Sequence, residues 1–310
     1  TAFAFRAFRQ RALPRPVLAR WPAASPALLA GDPAALSALP IDHGVPPAAL
    51  AGGSEAGRAA LAGFVARKLA RYAADRAHPD RDAASGLSPW LHFGHVSAHE
   101  VFRAVARAER WSPDALGSPR AGARQGFWGT SPSAEAFLDQ LVTWRELGHN
   151  LSSKREDHAS YRSLPPWALA TLSKHARDPR PALYDRPALE EARTADPLWN
   201  AAQRQLRVEG RIHNSLRMLW GKAVIAWTRA PEEAAEILVA LNDRWALDGR
   251  DPSSYSGIFW CFGRYDRPWG PERPIYGTVR YMSSASAARK LRLRAWLARF
   301  GEGERALVAK

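Results

Sequence analysis

The chain has 310 residues, 46% of them hydrophobic and 10% aromatic, so it can bury a sizeable core and is not intrinsically disordered over most of its length. Its 44 Lys and Arg against 30 Asp and Glu leave a formal net charge of +14 and a pI near 10.6, a balance that suits a polyanionic partner such as nucleic acid. No apolar run reaches the roughly 18 residues of a membrane span, and a single cysteine, Cys261, rules out an internal disulfide or a multi-cysteine metal site.

Residues 1–57 read as a Pro/Ala-rich extension, dense in both residues between Ala12 and Pro47 and closed by Gly52-Gly53. An extended segment with short helices on the surface of the main body is expected, with a plain linker as the alternative. Its first 20 residues carry Arg6, Arg9, Arg11 and Arg15 but no apolar stretch of signal-peptide length. A reducing, cytoplasmic setting is therefore the default expectation.

From residue 58 to 310 nearly every strong signal is helical. Ser54 to Arg76 begins with a capping residue and repeats apolar side chains at Leu61, Phe64, Val65, Leu69 and Tyr72. The same period runs through Val96 to Arg107 and Ser133 to Asn150. Asp196-Pro197 opens a helix that Gly210 ends, and His213 to Thr228, Pro231 to Leu247 and Ser284 to Phe300 follow. Only Thr278 to Met282 hints at a strand. The expected fold class is all-α, one large helical domain.

His92, His95 and His99 could share a helix face as metal ligands, but Gly94 interrupts them and no carboxylate partner accompanies them, so no metal site is expected. No Gly-rich phosphate loop or nucleophile-elbow motif occurs. The stretch from Asp196 to Arg280 is richer, holding Trp199, Trp220, Trp227, Trp245, Trp260 and Trp269 among the chain's 13 tryptophans. Trp220 and Trp227 lie two turns apart on one predicted helix, roughly 10 Å along one face. That spacing fits a core stripe or one-electron hopping between indoles. The polar run Asn242-Asp243-Arg244 and Leu247-Asp248-Gly249-Arg250-Asp251-Pro252 fits helix capping or the wall of a site, with Arg217 able to pair with Asp248.

Six segments, in order, resemble the flavin-binding helical domain of the photolyase/cryptochrome family, closest to its class II cyclobutane pyrimidine dimer photolyases. They are Ser85 to Gly94, Phe137 to Leu147, Asp196 to Gln203, His213 to Met218, Leu247 to Pro252, and Asp266 to Trp269 continuing through Val279 to Met282. The resemblance implies one FAD per chain, active as FADH⁻, and light-dependent splitting of pyrimidine dimers in DNA, with no membrane partner and a monomeric state. Tyr72 and the turn Ser85-Gly86-Leu87-Ser88 would hold the cofactor phosphates. Arg145, Asp248, Gly249 and Arg250 would lie along the flavin, with Asn242 near its reactive nitrogen and the Arg217–Asp248 pair behind. Trp220, Trp199 and Trp227 match the family's electron-transfer tryptophans. Trp144 and Trp260 match walls of the pocket for the flipped lesion, with Met218 beside it; Arg267, Trp269 and Arg280 match residues that meet the opened duplex.

Two departures stand out. About 60 residues precede the helical domain, too few for the family's N-terminal α/β antenna domain. The chain thus resembles a short photolyase, with no antenna chromophore expected and single-stranded DNA in range as substrate. The family's active-site Glu aligns with Gln140, which can hydrogen-bond a lesion but cannot give it a proton. Asn214-Ser215 also departs from the class II pattern, and the loop between Trp260 and Trp269 is one residue short. A cryptochrome-like photoreceptor and a flavin-free nucleic-acid-binding protein are the competing readings.

Overall fold

The structure is a computed structural model that describes residues 39–120 and 123–301; most of the expected N-terminal extension, residues 1–38, lies outside the described residues. The described chain is all-α, as expected from its periodicity. Helix α1 (Ser54–Arg67) stops short of the expected Arg76. A three-residue turn at Leu69–Arg71 intervenes before α2 (Tyr72–Asp75). That tighter winding stacks residues three apart, which turns both Leu69 and Tyr72 into the core. Next come α3 (Ser88–His92) and α4 (Ala98–Ala108), the latter capped by the Ser97 hydroxyl, which accepts from Glu100 N at 3.0 Å. The chain reverses at Gly94 (φ 69°), so the three histidines do not share a helix face. His92 instead meets Asp251 at 3.3 Å, and His95 accepts from Gly53 N at 3.2 Å.

Helices α5 (Pro132–Leu138) and α6 (Arg145–Lys154) are joined without a break by a π-helical segment, Asp139–Trp144. Four helices then build most of the site: α9 (Pro197–Glu209), α10 (Asn214–Trp227), α11 (Pro231–Trp245) and α12 (Pro252–Trp260). They are preceded by α7 (Pro166–Lys174) and the short α8 (Arg186–Glu190). The Asp196 carboxylate caps α9 by accepting from Leu198 N and Trp199 N at 3.0 and 3.1 Å. Asp251 caps α12 through Ser253 N at 2.8 Å.

The expected last helix divides into α13 (Ser284–Lys290) and α14 (Arg294–Phe300). Asp80, from far upstream, accepts from Ala295 N and Trp296 N at 3.2 and 2.8 Å and so starts a second helix there. The strand expected at Thr278 to Met282 does not form. Thr278 N donates to the Thr171 hydroxyl and Val279 N to Tyr276 O, which closes a turn instead.

Two cores result. The larger runs from Leu164 to Phe300 and packs α7 to α14 around Trp199, Leu216, Trp220, Leu238 and Phe259, each at most 1% exposed. The smaller runs from Leu61 to Val142 and holds Phe64, Tyr72, Val101, Val105 and Phe137. Each fully buried large apolar side chain contributes about 1.5–3 kcal/mol relative to exposure. Helix α6 bridges the cores by lying against α12 at Gly148, where a Cβ would stand 2.8 Å from the Ser256 hydroxyl and 2.9 Å from Pro252 O. Gly148→Ala is therefore expected to lower the thermal unfolding midpoint by several degrees, from an overpacking cost of about 1–3 kcal/mol. A calorimetric midpoint equal to wild type would contradict that close approach.

Candidate functional site

Helix α10 carries Arg217, Met218, Trp220 and Trp227, and its packing against α9, α11 and α12 decides what each side chain meets. Trp220 and Trp227, two turns apart on α10, are linked through Trp199 of α9. Trp199 is fully buried, donates its indole N–H to Trp220 O at 2.9 Å, and sits edge-on to Trp227 with centroids 5.5 Å apart. The Trp220 indole donates to Gln203 Oε1 at 2.8 Å. The line ends outward on Tyr184, 5.3 Å from Trp227, a residue that no sequence pattern marked. Tyr184, Trp227 and Trp199 thus form a line of ring contacts from a half-buried edge inward, joined to Trp220 by the hydrogen bond from the Trp199 indole to its backbone carbonyl.

The inner end of α10 meets the last turn of α11. The Arg217 guanidinium donates to Asn242 Oδ1 at 3.0 Å and to the Ser254 hydroxyl at 3.3 Å, and lies 3.7 Å from Asp248 Oδ1. Ser254 in turn donates to Asn242 Oδ1 at 2.9 Å. Asn242 is 1% exposed and gives its amide N–H to Asp243 Oδ1. Asp243 also accepts from Arg250 N and from the Tyr255 hydroxyl, whose pKa burial and the Asp243 carboxylate push up to about 12. Gly249 is required for this closure. A Cβ there would meet Ala246 O at 2.9 Å and Asn242 O at 3.0 Å.

Several buried polar atoms at this junction of α6, α10, α11 and α12 have no hydrogen-bond partner within the chain: Asp248 Oδ1, Ser253 Oγ and His149 Nε2. Burial, and then the Arg145 charge, hold His149 below the ordinary histidine range. Buried polar groups are rarely left so, and their clustering marks a place where a polar ligand completes the bonding. The donor and acceptor set around Asn242 and Arg217 therefore fits FAD. Arg145 adjoins this junction and is paired with Glu146 at 2.8 Å.

Of the residues the resemblance assigned to phosphates, the Ser85 to Ser88 turn closes through Leu87 N on the Ser85 hydroxyl. Arg211, unassigned from sequence, brings Nη1 to 3.0 Å from the Cβ position of Gly86 and adds a cation there. Tyr72 packs among Phe64, Phe137 and Arg76 in the smaller core, to which Leu87 of that turn also belongs.

A second group gathers at the C-terminal end of α12. Trp144 and Trp260 stack with centroids 4.5 Å apart, and Tyr265 closes a three-ring box at 6.4 and 6.1 Å from them. Tyr265 stands at φ 65°, outside any helix, which hid it from periodicity. The π-helical turn bends Asp139 back onto Trp144, whose indole N–H donates to Oδ2 at 3.0 Å. Gln140, half-buried, belongs to that turn. Met218 Sδ lies 3.9 Å from Cys261 Sγ beside Trp260. Farther along, Trp269 is flanked by Arg267 and Arg280, with guanidinium carbons 4.6 and 5.2 Å from its ring centroid, an exposed basic-aromatic tip.

No family model matches the chain. It is 40% identical over 239 residues to the deoxyribodipyrimidine photo-lyase of Potorous tridactylus, covering 77% of this chain and 41% of that protein. With the enzyme of the same name from Methanothermobacter thermautotrophicus it shares 36% over 247 residues, covering 80% and 50%. Among solved structures, a class III photolyase from Agrobacterium tumefaciens superposes with a TM-score of 0.58 at 18% identity, covering 80% of this chain and 44% of that one. A Synechocystis cryptochrome gives the same score at 17% identity, covering 81% and 46%. The fold is thus that of the photolyase/cryptochrome helical domain. Over its matched residues the chain is a homologue of the deoxyribodipyrimidine photo-lyases, as its motifs implied, and it spans about half the length of those relatives.

Proposed function

We propose that this chain is the catalytic helical part of a class II-like photolyase that splits cyclobutane pyrimidine dimers in DNA under light, residues 58–310 being the catalytic domain. The observation that carries the reading is the single helix α10. It presents Arg217 to Asn242 and Asp248 at one junction and, one turn on, carries Trp220, whose backbone carbonyl accepts from the Trp199 indole that packs on Trp227. FAD, when bound, supplies the light-driven one-electron chemistry.

The chain's own residues bind, orient and exclude water. Arg217, fixed by Asn242 and Ser254, places a positive charge where a reduced, anionic flavin is favoured, and Asn242 is held with its amide in one orientation. The indole path connects that junction to the half-buried Trp227 and Tyr184. Trp144, Trp260 and Tyr265 offer flat apolar faces to a flipped pyrimidine dimer, a type of contact worth about 1–3 kcal/mol per base. Gln140 can donate and accept a hydrogen bond at the lesion, so repair persists without a carboxyl group there. Arginines around the Trp269 tip would meet phosphates, and binding would weaken with salt. Among the described residues no helix is long and apolar enough to cross a membrane. We take the protein to act as a cytoplasmic monomer, with single-stranded DNA a favoured substrate.

The test is an absorption spectrum of the purified protein, followed by dimer splitting in light and dark on single- and double-stranded oligonucleotides. Wild type is expected to split dimers in light only, and Gln140→Glu to change the rate without abolishing it. No light-dependent splitting by flavin-loaded wild type ends the repair reading and leaves a cryptochrome-like photoreceptor.

A further inference from the structure

The segment from Asp266 to Arg280 holds the Trp269 tip, and its base is tied to the C-terminal end of α7. His175 is the residue after that helix. Its Nδ1 lies 2.6 Å from Asp178 Oδ2 and its Nε2 2.9 Å from Glu272 Oε1. A neutral imidazole has one N–H and can donate to one carboxylate only. Both contacts together require the imidazolium. Asp178 Oδ2 also accepts from Ile275 N at 2.8 Å, and Ile275 stands at φ 70°, a costly conformation for a β-branched residue. Lys174 reinforces Glu272 at 2.9 Å, and the Thr171 hydroxyl takes Thr278 N. The strained base of the segment is therefore fixed by several bonds to the C-terminal end of α7, and His175 adds to them by joining Asp178 to Glu272.

We propose that protonated His175 is a positioning residue that clamps the Asp266–Arg280 segment, so that its Arg267–Trp269–Arg280 tip grips DNA more tightly at lower pH. The proposal rests on the DNA-binding reading above for its functional consequence, and on the clamp geometry alone for its mechanism.

The charged groups facing the clamp come from both sides. Asp178 and Lys174 stand on the α7 side, Glu272 on the segment, and Arg180 acts through Asp178. Hydrogen bonds to Asp178 and then Glu272 raise the His175 pKa above its ordinary value. The hydrogen bonds from Ile275 N and His175 lower Asp178, and those from Lys174 and His175 lower Glu272. A raised histidine contributes stability that is complete below its unfolded value of about 6.5 and is lost as pH rises through the folded midpoint. The carboxylates stay ionised until the pH falls through their own depressed values. The clamp is thus closed between those two limits and opens on the alkaline side.

The experiment follows the His175 ring and the Trp269 indole N–H by NMR from pH 5 to 9, alongside binding of a single-stranded dimer-containing oligonucleotide by anisotropy at fixed salt. The expected His175 midpoint lies above the ordinary value, and the Trp269 signal shifts or broadens through that midpoint. Affinity is expected to fall about threefold across it, as for a binding-competent population reduced to about a third. His175→Gln should show the weaker affinity at every pH with no midpoint. Glu272→Gln, a milder change at a partly exposed position, should lower the His175 midpoint and steepen nothing else. A His175 midpoint at or below the ordinary value, or identical pH profiles for wild type and both variants, overturns the clamp. If no form binds DNA while the NMR midpoint and the Trp269 response appear as stated, the DNA reading fails and the clamp stands.

Discussion

Arg217→Met lowers the unfolding midpoint by roughly 5–10 °C, from a cost of about 2–4 kcal/mol, and strips the protein of retained flavin. The loss is large because Arg217 serves three partners at once: Asn242 Oδ1, the Ser254 hydroxyl and the Asp248 carboxylate. Removing the guanidinium leaves Asp248 without its counter-charge, in a place where its Oδ1 already lacks a hydrogen bond. An uncompensated buried charge costs more than the pair was worth, and the figure here is reduced because both side chains keep some exposure, 13% and 18%. Adding Asp248→Asn to Arg217→Met should therefore recover part of the lost stability without restoring flavin retention. Scanning calorimetry of the flavin-free forms reads the first effect, and visible absorption after gel filtration reads the second. A midpoint within a degree or so of wild type, with flavin retained, would show that Arg217 is not the keystone of this junction.

Much of that junction was legible before any coordinates, and what was missed has physical causes. The cap-plus-Pro signal at Asp196-Pro197 and the apolar period of α10 are local, so those helices stand where expected. The same signal at Asp251-Pro252 sits inside a polar run that fits a site wall as well as a cap, and Ser254, one turn into α12 and sharing Arg217 with Asn242, carries no mark of its own in the sequence. The π-helical turn was invisible because one extra residue per turn barely disturbs an apolar period over 18 positions, yet it is what aims Asp139 at Trp144. Tyr265 and Tyr184 had no periodic signal, since neither belongs to a helix. The indole spacing put Trp220 and Trp227 on one helix and said nothing of their surroundings. An indole from α9 packs on the Trp227 ring and donates to the Trp220 carbonyl, which is a tertiary fact.

That bridging indole is where a single substitution should divide two functions. In Trp199→Phe, light-driven reduction of the oxidised, flavin-loaded protein by an external reductant is expected to fall to background. Light-dependent dimer splitting by chemically pre-reduced protein should survive, because the lesion box of Trp144, Trp260 and Tyr265 is built from other residues. The ring's position makes the severance near complete. Trp199 is 0% exposed, donates its N–H to the Trp220 carbonyl and packs on Trp227 in a T-shaped pair, and Tyr184 meets Trp227 in turn. Phe fills most of the volume but has neither the indole's ease of oxidation nor the N–H. The fold should bear the change at less than the about 3–5 kcal/mol of truncation to Ala, with the lost hydrogen bond accounting for about 1 kcal/mol of it. Tyr184→Phe, at the half-buried end, should slow photoreduction only partly, since Trp227 is itself partly open to solvent. Photoreduction of Trp199→Phe at the wild-type rate would mean that electrons enter by another route, and the aromatic line would revert to what its spacing equally allowed, a stripe of core packing.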